Sequence, residues 1–325
     1  MSPSLLPGVS LISLALAAPS RCRWFAALLS LGAGLAAHAQ RPAEAAAQSI
    51  FAAVSADARS QHEASAIRLW PDQAPESRGT APEDVPLLYP VLPARSALEP
   101  PRPVMLVLPG GGYTYHSASE AFPIAERFRA DGFAAFVLQY RLRPYDPAVS
   151  LLDALRAVRV LRSRSAELNL DPQRIAVIGF SAGGHLAANL STHGDDGQPE
   201  AADPVERPGS RVQAAILFYP AILHAPADQL APGTTDLPSL LQLEGVQQFV
   251  DARTPPTFMI VGYDDTRAPY AHCLAYAARL HRAGVRFELH VLGGGDHGRS
   301  VRDGRRAEWE PMLRHWLTTV AVSTR

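Results

Sequence analysis

The chain has 325 residues, of which 47% are hydrophobic and 19% charged, and its formal net charge at pH 7 is −1. These values are typical of a globular protein with one large domain or two small ones, and the lack of a basic tract argues against a nucleic-acid partner. All 30 basic residues are arginines. The missing lysine excludes a Schiff-base lysine, a Ser-Lys dyad and a Walker-type phosphate loop.

The first segment of the chain is typical of a targeting sequence. Arg21 and Arg23 precede an apolar run that ends at Ala37-His38-Ala39, where small residues occupy the positions that signal peptidase reads. We predict a signal peptide at residues 1–39, cleaved before Gln40, and therefore a periplasmic or secreted protein. The apolar run is too short to span a bilayer, so we expect no stable membrane association.

The remaining chain is predicted to form one α/β domain at residues 67–325, after a flexible or loosely helical lead-in at residues 40–66 that is rich in Ala, Gln and Ser. Within the domain, short apolar strands alternate with helical patterns. Strands that are apolar throughout indicate a mostly parallel central sheet with helices on both faces. The predicted strands are 67–70, 87–92, 104–108, 133–139, 175–178, 212–218, 257–261 and 287–291; the main predicted helices are 119–130, 147–167, 269–283 and 306–321.

Residues 220–256 interrupt this alternation with prolines, short leucine runs and Gln-rich polar stretches. Insertions in such sheets are carried on the loops that follow the carboxyl ends of the strands, where sites form. We therefore predict a small cap insertion there.

One turn in the middle of the domain carries a candidate nucleophile. The segment RIAVIGFSAGGHLAA, residues 174–188, predicts a strand, a tight turn at Ser181 and a helix. Gly179 and Gly183 supply the side-chain-free neighbours that a strained serine turn needs. The start of the helix adds a favourable dipole and a free N–H at Ala182.

A serine needs a base and an orienting acid, and both are found after later strands. His297 follows the last strand in a glycine-rich loop and is the candidate base, its alternative being an ordinary surface histidine. Asp264 and Asp265 follow the strand at 257–261, and from the residues alone Asp265 leads only slightly. Asp296 is a poor orienter, because adjacent side chains on a loop rarely face each other. The order Ser, Asp, His is the one expected for such a triad on a sheet of this kind.

Donors for an oxyanion are predicted in the loop after the strand at 104–108, which reads Pro-Gly-Gly-Gly-Tyr at residues 109–113. Consecutive glycines allow backbone N–H groups to face a reacting carbonyl. We assign Gly111, Gly112 and Ala182 to this oxyanion hole. A phosphate-binding loop is the weaker alternative, because no Lys-Ser/Thr pair follows.

Residues near this loop have two interpretations. Tyr113 and His116 are assigned to substrate binding and, like Tyr115, either line the substrate entrance or pack the loop. Glu120 is predicted to cap the helix at 119–130, with pairing to an arginine as the alternative. His185, one turn after Ser181, is predicted to be a packed, hydrogen-bonded helix residue.

Cofactor chemistry is not indicated by any pattern in the chain. Cys273 lies in a predicted helix among apolar neighbours and is interpreted as a core residue. It would be the single cysteine after signal cleavage, so no internal disulfide is expected. No His, Cys and Asp cluster has metal-ligand spacing, and we predict neither a metal nor a cofactor.

Taken together, these residues resemble the α/β-hydrolase carboxylesterases that include bacterial acetyl xylan esterases and feruloyl-esterase-like enzymes. The resemblance runs from about Ile67 to Trp316 and rests on several separated motifs. They are Leu69-Trp70-Pro71 with Ala74-Pro75, the glycine loop at 109–113, Glu120, residues 137–142, residues 153–158, Gly179 to His185, and the late Asp and His loops.

The acid loop of this family resolves the choice between the two aspartates. Its frame is a glycine, two residues, the acid, two residues and Val-Pro, which Gly262, Asp265 and Ala268 with the following proline match. Asp265 is thereby placed well ahead of Asp264. Ala268 in place of valine and Arg299 in place of an aromatic residue depart from the family pattern.

The resemblance implies a secreted serine esterase that hydrolyses acyl esters, with acetyl as the expected group, of plant cell-wall polysaccharide or oligosaccharide. The expected partner is this small-molecule or oligosaccharide ester, and the oligomeric state is left open. A feruloyl or general short-chain esterase, an amidase or peptidase on the same fold, and a non-catalytic carbohydrate-binding protein are the alternatives.

Overall fold

The apolar segments form one sheet of eight strands. They are β1 (Ile67–Arg68), β2 (Leu87–Val91), β3 (Arg102–Leu108), β4 (Ala134–Gln139), β5 (Leu170–Phe180), β6 (Ala214–Phe218), β7 (Thr257–Gly262) and β8 (Phe287–Leu292). This computed structural model describes residues 49–94, 100–233, 236–299 and 305–320. The strand order is β1-β2-β4-β3-β5-β6-β7-β8. Only the pairs β1 with β2 and β2 with β4 are antiparallel, so the predicted mostly parallel sheet is confirmed.

The helices fill the connections between the strands. They are α1 (Ala56–Ser65), α2 (Phe122–Ala130), α3 (Pro147–Ser163), α4 (Ser165–Leu168), α5 (Ala182–His193), α6 (Leu237–Leu240), α7 (Ala271–Arg282) and α8 (Arg306–Thr319). Short 3₁₀ turns lie at Pro82–Asp84, Ala118–Glu120, Pro204–Glu206, Ala227–Leu230 and Val246–Phe249. In the part of the chain that the structure describes, no helix has the length and apolarity needed to cross a bilayer.

The strand order places helices on both faces of the sheet. β4 lies on one side of β3 and β5 on the other, so the two crossovers run in opposite directions. Right-handed crossovers then put α2 and α3 on opposite faces. An ion pair between Arg127 and Glu310 joins α2 to α8 on one face, and α3 packs against α5 on the other.

The core lies along the central strands. Residues 175–180 of β5 and all of β6 are buried, as the uninterrupted apolar runs predicted. β8 is half-buried along most of its length because it is the edge strand. The carboxyl ends of the parallel strands β3, β5, β7 and β8 therefore meet at one edge of a rigid sheet, which is where the loops that carry the candidate site residues emerge.

Two predicted helices have different boundaries in the structure. The pattern at 147–167 predicted one helix, whereas α3 ends at Ser163 and α4 follows after Arg164, whose backbone leaves the helical region. The helix predicted at 119–130 is a 3₁₀ turn up to Glu120 followed by α2 from Phe122. Neither helix break contains a glycine, and at both breaks the helical side-chain pattern continues from one segment into the next.

The lead-in, predicted at 40–66 as flexible or loosely helical, contains the helix α1 with no buried residue, and before that helix it is anchored at two apolar side chains. Ile50 and Phe51 are buried in the main core, and the Phe51 ring contacts the rings of Tyr89 and Phe122 at centroid distances of 5.3 and 5.1 Å. The folded domain therefore begins before residue 67. The predicted signal peptide at 1–39 and the start of the lead-in lie outside the described residues.

The insertion at 220–256 contains short helices and its own apolar cluster. Leu223, Leu230 and Leu240 pack there against Ala271 and Ala275 of α7. An isolated bridge between Leu223 and Gly245 closes part of the segment. The insertion is thus fixed to α7, and its role as a cap over the site stays a prediction.

A buried ion pair anchors the segment before β2 to the body of the sheet. The guanidinium of Arg141 donates to both carboxylate oxygens of Asp153, at 2.6 Å for the shortest bond, and both side chains are fully buried. Arg141 also donates to the Pro75 carbonyl at 2.5 Å and lies over the Trp70 ring. Burial raises the pKa of Asp153, while its hydrogen bonds to Arg141 oppose that shift.

Replacing Asp153 by alanine is expected to lower the free energy of unfolding by about 3–5 kcal/mol, because the buried Arg141 charge loses its partner. Urea unfolding followed by circular dichroism measures the loss. The matched control is Asp171→Ala, which breaks a partly exposed pair with Arg174 and is expected to cost about 1 kcal/mol or less. Equal losses for the two variants would contradict the anchoring role of Arg141 and Asp153.

Candidate active site

Ser181 lies in a strained turn between β5 and α5. Its φ and ψ are 52° and −115°, a conformation that costs free energy for any residue with a side chain. A Cβ on Gly179 would lie 2.1 Å from the Gly183 carbonyl oxygen, and one on Gly183 would lie 2.1 Å from that of Leu108. Both glycines are therefore required by close backbone approach, as the G-x-S-x-G spacing predicted.

The structure brings Ser181, His297 and Asp265 into one hydrogen-bonded row. The distance from Ser181 Oγ to His297 Nε2 is 2.8 Å, and that from His297 Nδ1 to Asp265 Oδ2 is also 2.8 Å. An ionised Asp265 can only accept, so Nδ1–H donates to it and Nε2 is left to accept the Ser181 hydroxyl. The row therefore has the connectivity that a nucleophile, a base and an orienting acid need.

The three candidate acids have different surroundings. Asp265 is 3% exposed, and its Oδ1 accepts the backbone N–H groups of Arg267 and Ala268 at 3.0 and 2.8 Å. Asp264 is exposed. Asp296 accepts the N–H of His297 at 2.6 Å, and it is the carboxylate of Asp265 that lies on the imidazole. The geometry favours Asp265, the residue that the acid-loop frame selected.

The glycine loop passes directly beside the nucleophile. A Cβ on Gly110 would lie 3.1 Å from Ser181 Cβ. The Gly110 N–H is engaged, since it donates to Glu120 Oε2 at 2.9 Å. Within the described residues, the N–H groups of Gly111, Gly112 and Ala182 have no hydrogen-bond acceptor. These three predicted oxyanion donors are therefore free to bind a substrate oxygen. Gly111 has φ of 124°, which only glycine adopts readily.

Glu120 does not cap a helix, and that prediction was wrong. Its carboxylate is 5% exposed and turned under the glycine loop, where it accepts from Gly110 N–H and, at 2.8 Å, from the hydroxyl of Tyr219. Burial raises the pKa of Glu120, and the hydrogen bonds from Tyr219 and Gly110 oppose that shift. No local pattern reveals this contact, because Tyr219 lies on a distant strand end.

Tyr113 and His116 are both buried and pack the loop, and their assignment to substrate binding stays a prediction. The Tyr113 hydroxyl lies 2.8 Å from His185 Nδ1, and its ring meets that of Tyr140 edge-on. His116 packs on Tyr140 at 4.6 Å, and burial lowers its pKa to about 4. Tyr115, by contrast, is 39% exposed on the same loop.

The remaining candidate residues are structural. His185 is buried, as predicted, and burial lowers its pKa to about 3, with His224 and His272 adding to the shift. Cys273 is a fully buried free thiol in α7, which confirms its place in the core. No group of three or more His, Cys, Asp or Glu in the described ranges has an arrangement that could hold a metal.

The sequence matches a known family over more than half of its length. The BD-FAE family model matches residues 92–280. Endo-1,4-beta-xylanase B of Butyrivibrio fibrisolvens is 32% identical over 215 residues, covering 62% of this chain and 33% of that protein. The acetylxylan esterase of Xylanibacter ruminicola is 29% identical over 202 residues, covering 59% and 40% respectively. The matched part thus spans about a third to two fifths of these curated relatives.

Solved structures match the fold over most of the chain. An acetyl ester-xyloside bifunctional hydrolase from Caldicellulosiruptor lactoaceticus is 36% identical, with a TM-score of 0.69 over 80% of this chain and 97% of that one. A thermophilic esterase from Thermogutta terrifontis, solved with propionate bound, is 26% identical with a TM-score of 0.61 over 78% and 97%. The chain therefore belongs to the BD-FAE family and has the α/β-hydrolase fold of its esterase relatives.

Proposed function

We propose that the protein is an exported serine carboxylesterase that removes acyl groups, acetyl in the first place, from plant cell-wall polysaccharide or oligosaccharide. The observation that carries this proposal is the row of two 2.8 Å hydrogen bonds from Ser181 through His297 to Asp265. It lies beside a loop with free N–H groups, and together these are the groups that acyl transfer requires.

In the first half of the proposed reaction, Ser181 Oγ attacks the ester carbonyl while His297 Nε2 takes its proton. The negative charge that develops on the carbonyl oxygen is bound by the N–H groups of Gly111, Gly112 and Ala182. Each such donor contributes about 2.7–4 kcal/mol to transition-state binding. The bond between the carbonyl carbon and the sugar oxygen then breaks as His297 gives its proton to that oxygen, so the sugar leaves with a free hydroxyl and the acyl group stays on Ser181.

In the second half, water takes the place of the sugar hydroxyl. His297 removes a proton from the water as it attacks the acyl-enzyme, and the same N–H groups bind the second oxyanion. Return of the proton to Ser181 Oγ releases the carboxylic acid. Asp265 holds the imidazole in the required tautomer throughout and stabilises its charged form.

A short acyl group on a sugar is supported by the relatives. One relative is named an acetylxylan esterase and one an acetyl ester-xyloside bifunctional hydrolase, and the Thermogutta terrifontis esterase was solved with propionate and with butyrate. In this chain, Tyr115 and Tyr263 are exposed on the loops that carry the glycines and the acid, and Tyr263 stacks on Tyr270. Such rings offer flat apolar surface to the face of a sugar.

Product analysis tests the substrate class. We expect acetate release from acetylated xylan or xyloglucan fragments to exceed ferulate release from methyl ferulate by about 100-fold in kcat/KM, because an acyl site that fits acetyl would discriminate against the larger acid. Ser181→Ala provides the background rate. Faster release of ferulate than of acetate would replace the acetyl assignment by a feruloyl one.

Export is proposed from the sequence of residues 1–39, and the sugar polymer as substrate agrees with it. Cell fractionation of the producing organism, with mass determination of the mature N-terminus, tests the cleavage before Gln40. Recovery of uncleaved protein in the cytoplasm would contradict it.

A further inference from the structure

One buried carboxylate near the candidate triad has no part in the reaction as proposed above. Glu120 is as deeply buried as Asp265, yet within the described residues no cationic side chain lies in ion-pair range of it. We propose that Glu120 is a positioning residue that ties the oxyanion loop to the catalytic base, an inference that rests on the proposed esterase function.

On one side, Glu120 fixes the loop that carries the oxyanion donors. Its Oε2 accepts the Gly110 N–H at 2.9 Å, and a Cβ on Gly110 would lie 2.8 Å from that oxygen and 3.1 Å from Ser181 Cβ. Gly110 is therefore held between the carboxylate and the nucleophile. With its N–H engaged, the free donors on the loop are those of the next two glycines, Gly111 and Gly112.

On the other side, Glu120 fixes a ring that supports the base. The Tyr219 hydroxyl donates to Glu120 Oε1 at 2.8 Å, and the Tyr219 ring meets the His297 imidazole edge-on at a centroid distance of 4.8 Å. Tyr219 has an unfavourable φ of 37° and its N–H donates to the Ile260 carbonyl at 2.7 Å. The position of the Tyr219 ring is thus determined by the sheet and by Glu120, and the His297 imidazole packs against this ring.

The charge of Glu120 adds a second effect. All hydrogen bonds at its two oxygens are bonds that it accepts, from Gly110, Tyr219 and Ser117, which suits the ionised form. Burial raises the pKa of Glu120, and its hydrogen bonds together with the interaction with the His297 imidazole oppose that shift. Since His297 becomes cationic during each proton transfer, a buried carboxylate nearby stabilises that state, in addition to Asp265. Among the described residues, Asp296 accepts the backbone N–H of His297, and His272 also acts on the base; burial lowers the pKa of His272 to about 4, so it is neutral near pH 7.

Two variants separate the geometric from the electrostatic effect. Glu120→Gln can keep both hydrogen bonds, because its carbonyl oxygen can face the Gly110 N–H and its NH₂ group can face the Tyr219 oxygen. The substitution removes the negative charge. We expect kcat for p-nitrophenyl acetate to fall about fivefold with KM nearly unchanged, and the acid limb of kcat/KM to move about 0.5 pH unit lower. Glu120→Ala loses both ties and is expected to lower kcat about 100-fold.

Asp84→Asn is the matched control. Asp84 is also a buried carboxylate that accepts from a tyrosine hydroxyl, that of Tyr145, and from a backbone N–H, that of Ala81, but it lies before β2. Rates are expressed per active site, titrated with a fluorophosphonate. We expect the control to lower thermal stability while leaving kcat and the pH profile as in the wild type.

The possible results separate this inference from the proposed function. A wild type that hydrolyses no ester and is not labelled by the fluorophosphonate removes the proposed function and this inference with it. An active wild type whose Glu120→Ala variant keeps kcat within threefold, or a Gln variant with an unshifted acid limb and unchanged kcat, shows that Glu120 is merely structural.

Discussion

Ser181→Ala is expected to lower kcat for p-nitrophenyl acetate on the order of 10⁵- to 10⁶-fold. The variant removes the one oxygen that lies 2.8 Å from His297 Nε2 and leaves the glycine loop and the imidazole in place. What remains is the contribution of binding and of the oxyanion donors to attack by water. Because alanine keeps the Cβ of serine, the backbone strain at φ 52° is the same in the variant, and thermal stability should stay near that of the wild type.

The matched control for this experiment lies in the same helix. Ser191 is buried in α5 and its hydroxyl donates to the Ala187 carbonyl at 2.7 Å. Ser191→Ala should retain kcat within about twofold of the wild type, since that bond contributes only about 1 kcal/mol to stability. Loss of fluorophosphonate labelling in Ser181→Ala alone completes the test. Turnover by that variant within tenfold of the wild type would remove Ser181 as the nucleophile.

The parts of the fold that could be predicted are those in which a local pattern and tertiary structure agree. Residues 175–180 of β5 and all of β6 are apolar because both faces of the sheet are covered there, and the sequence shows this directly. Ser181 could be placed because the close approach of Gly179 and Gly183 leaves a signature in the sequence. The geometry of His297 and Asp265 follows from the meeting of parallel strand ends at one edge.

The parts that could not be predicted depend on contacts between distant residues. Glu120 accepts from Tyr219, which is 99 residues away, so its neighbours in sequence indicated only a helix cap. Tyr113 has φ of 59°, which turns its side chain inward towards His185, and a non-glycine residue gives no warning of such a backbone. Phe51 follows a run of alanine and glutamine that suggested flexibility, yet its ring finds an aromatic cluster on the sheet.

Two of the candidate reactive groups, Ser181 and Asp265, are held by backbone hydrogen bonds in addition to those that join them to His297. Ser181 N–H donates to the Phe218 carbonyl at 2.9 Å, and Asp265 is bound by two loop N–H groups. A Cβ on Gly262 would lie 2.3 Å from the Gly295 carbonyl oxygen, so the acid loop and the base loop touch. Such anchoring keeps the geometry within the narrow limits that proton transfer requires.

The backbone N–H groups that bind Asp265 also determine how an asparagine side chain would be oriented at that position. Asp265→Asn is expected to lower kcat about 10⁴-fold, whereas Asp264→Asn should change it less than about threefold. In the Asp265→Asn variant, the backbone N–H groups of Arg267 and Ala268 still demand an acceptor, so the side-chain oxygen faces them and the NH₂ group faces His297. The imidazole must then accept at Nδ1 and carry its proton on Nε2, where it cannot take the proton of Ser181.

Asp264 is exposed and makes no hydrogen bond to the His297 imidazole. Asp264→Asn is therefore the matched control, because it makes the same carboxylate-to-amide change on the same loop. Steady-state kcat and KM for p-nitrophenyl acetate, with active sites titrated by a fluorophosphonate, measure both effects. A wrong tautomer slows the chemical step and leaves substrate binding intact, so the loss should be found in kcat and not in KM. If Asp264→Asn lost more activity than Asp265→Asn, the acid would be the other carboxylate and the acid-loop frame would not hold in this chain.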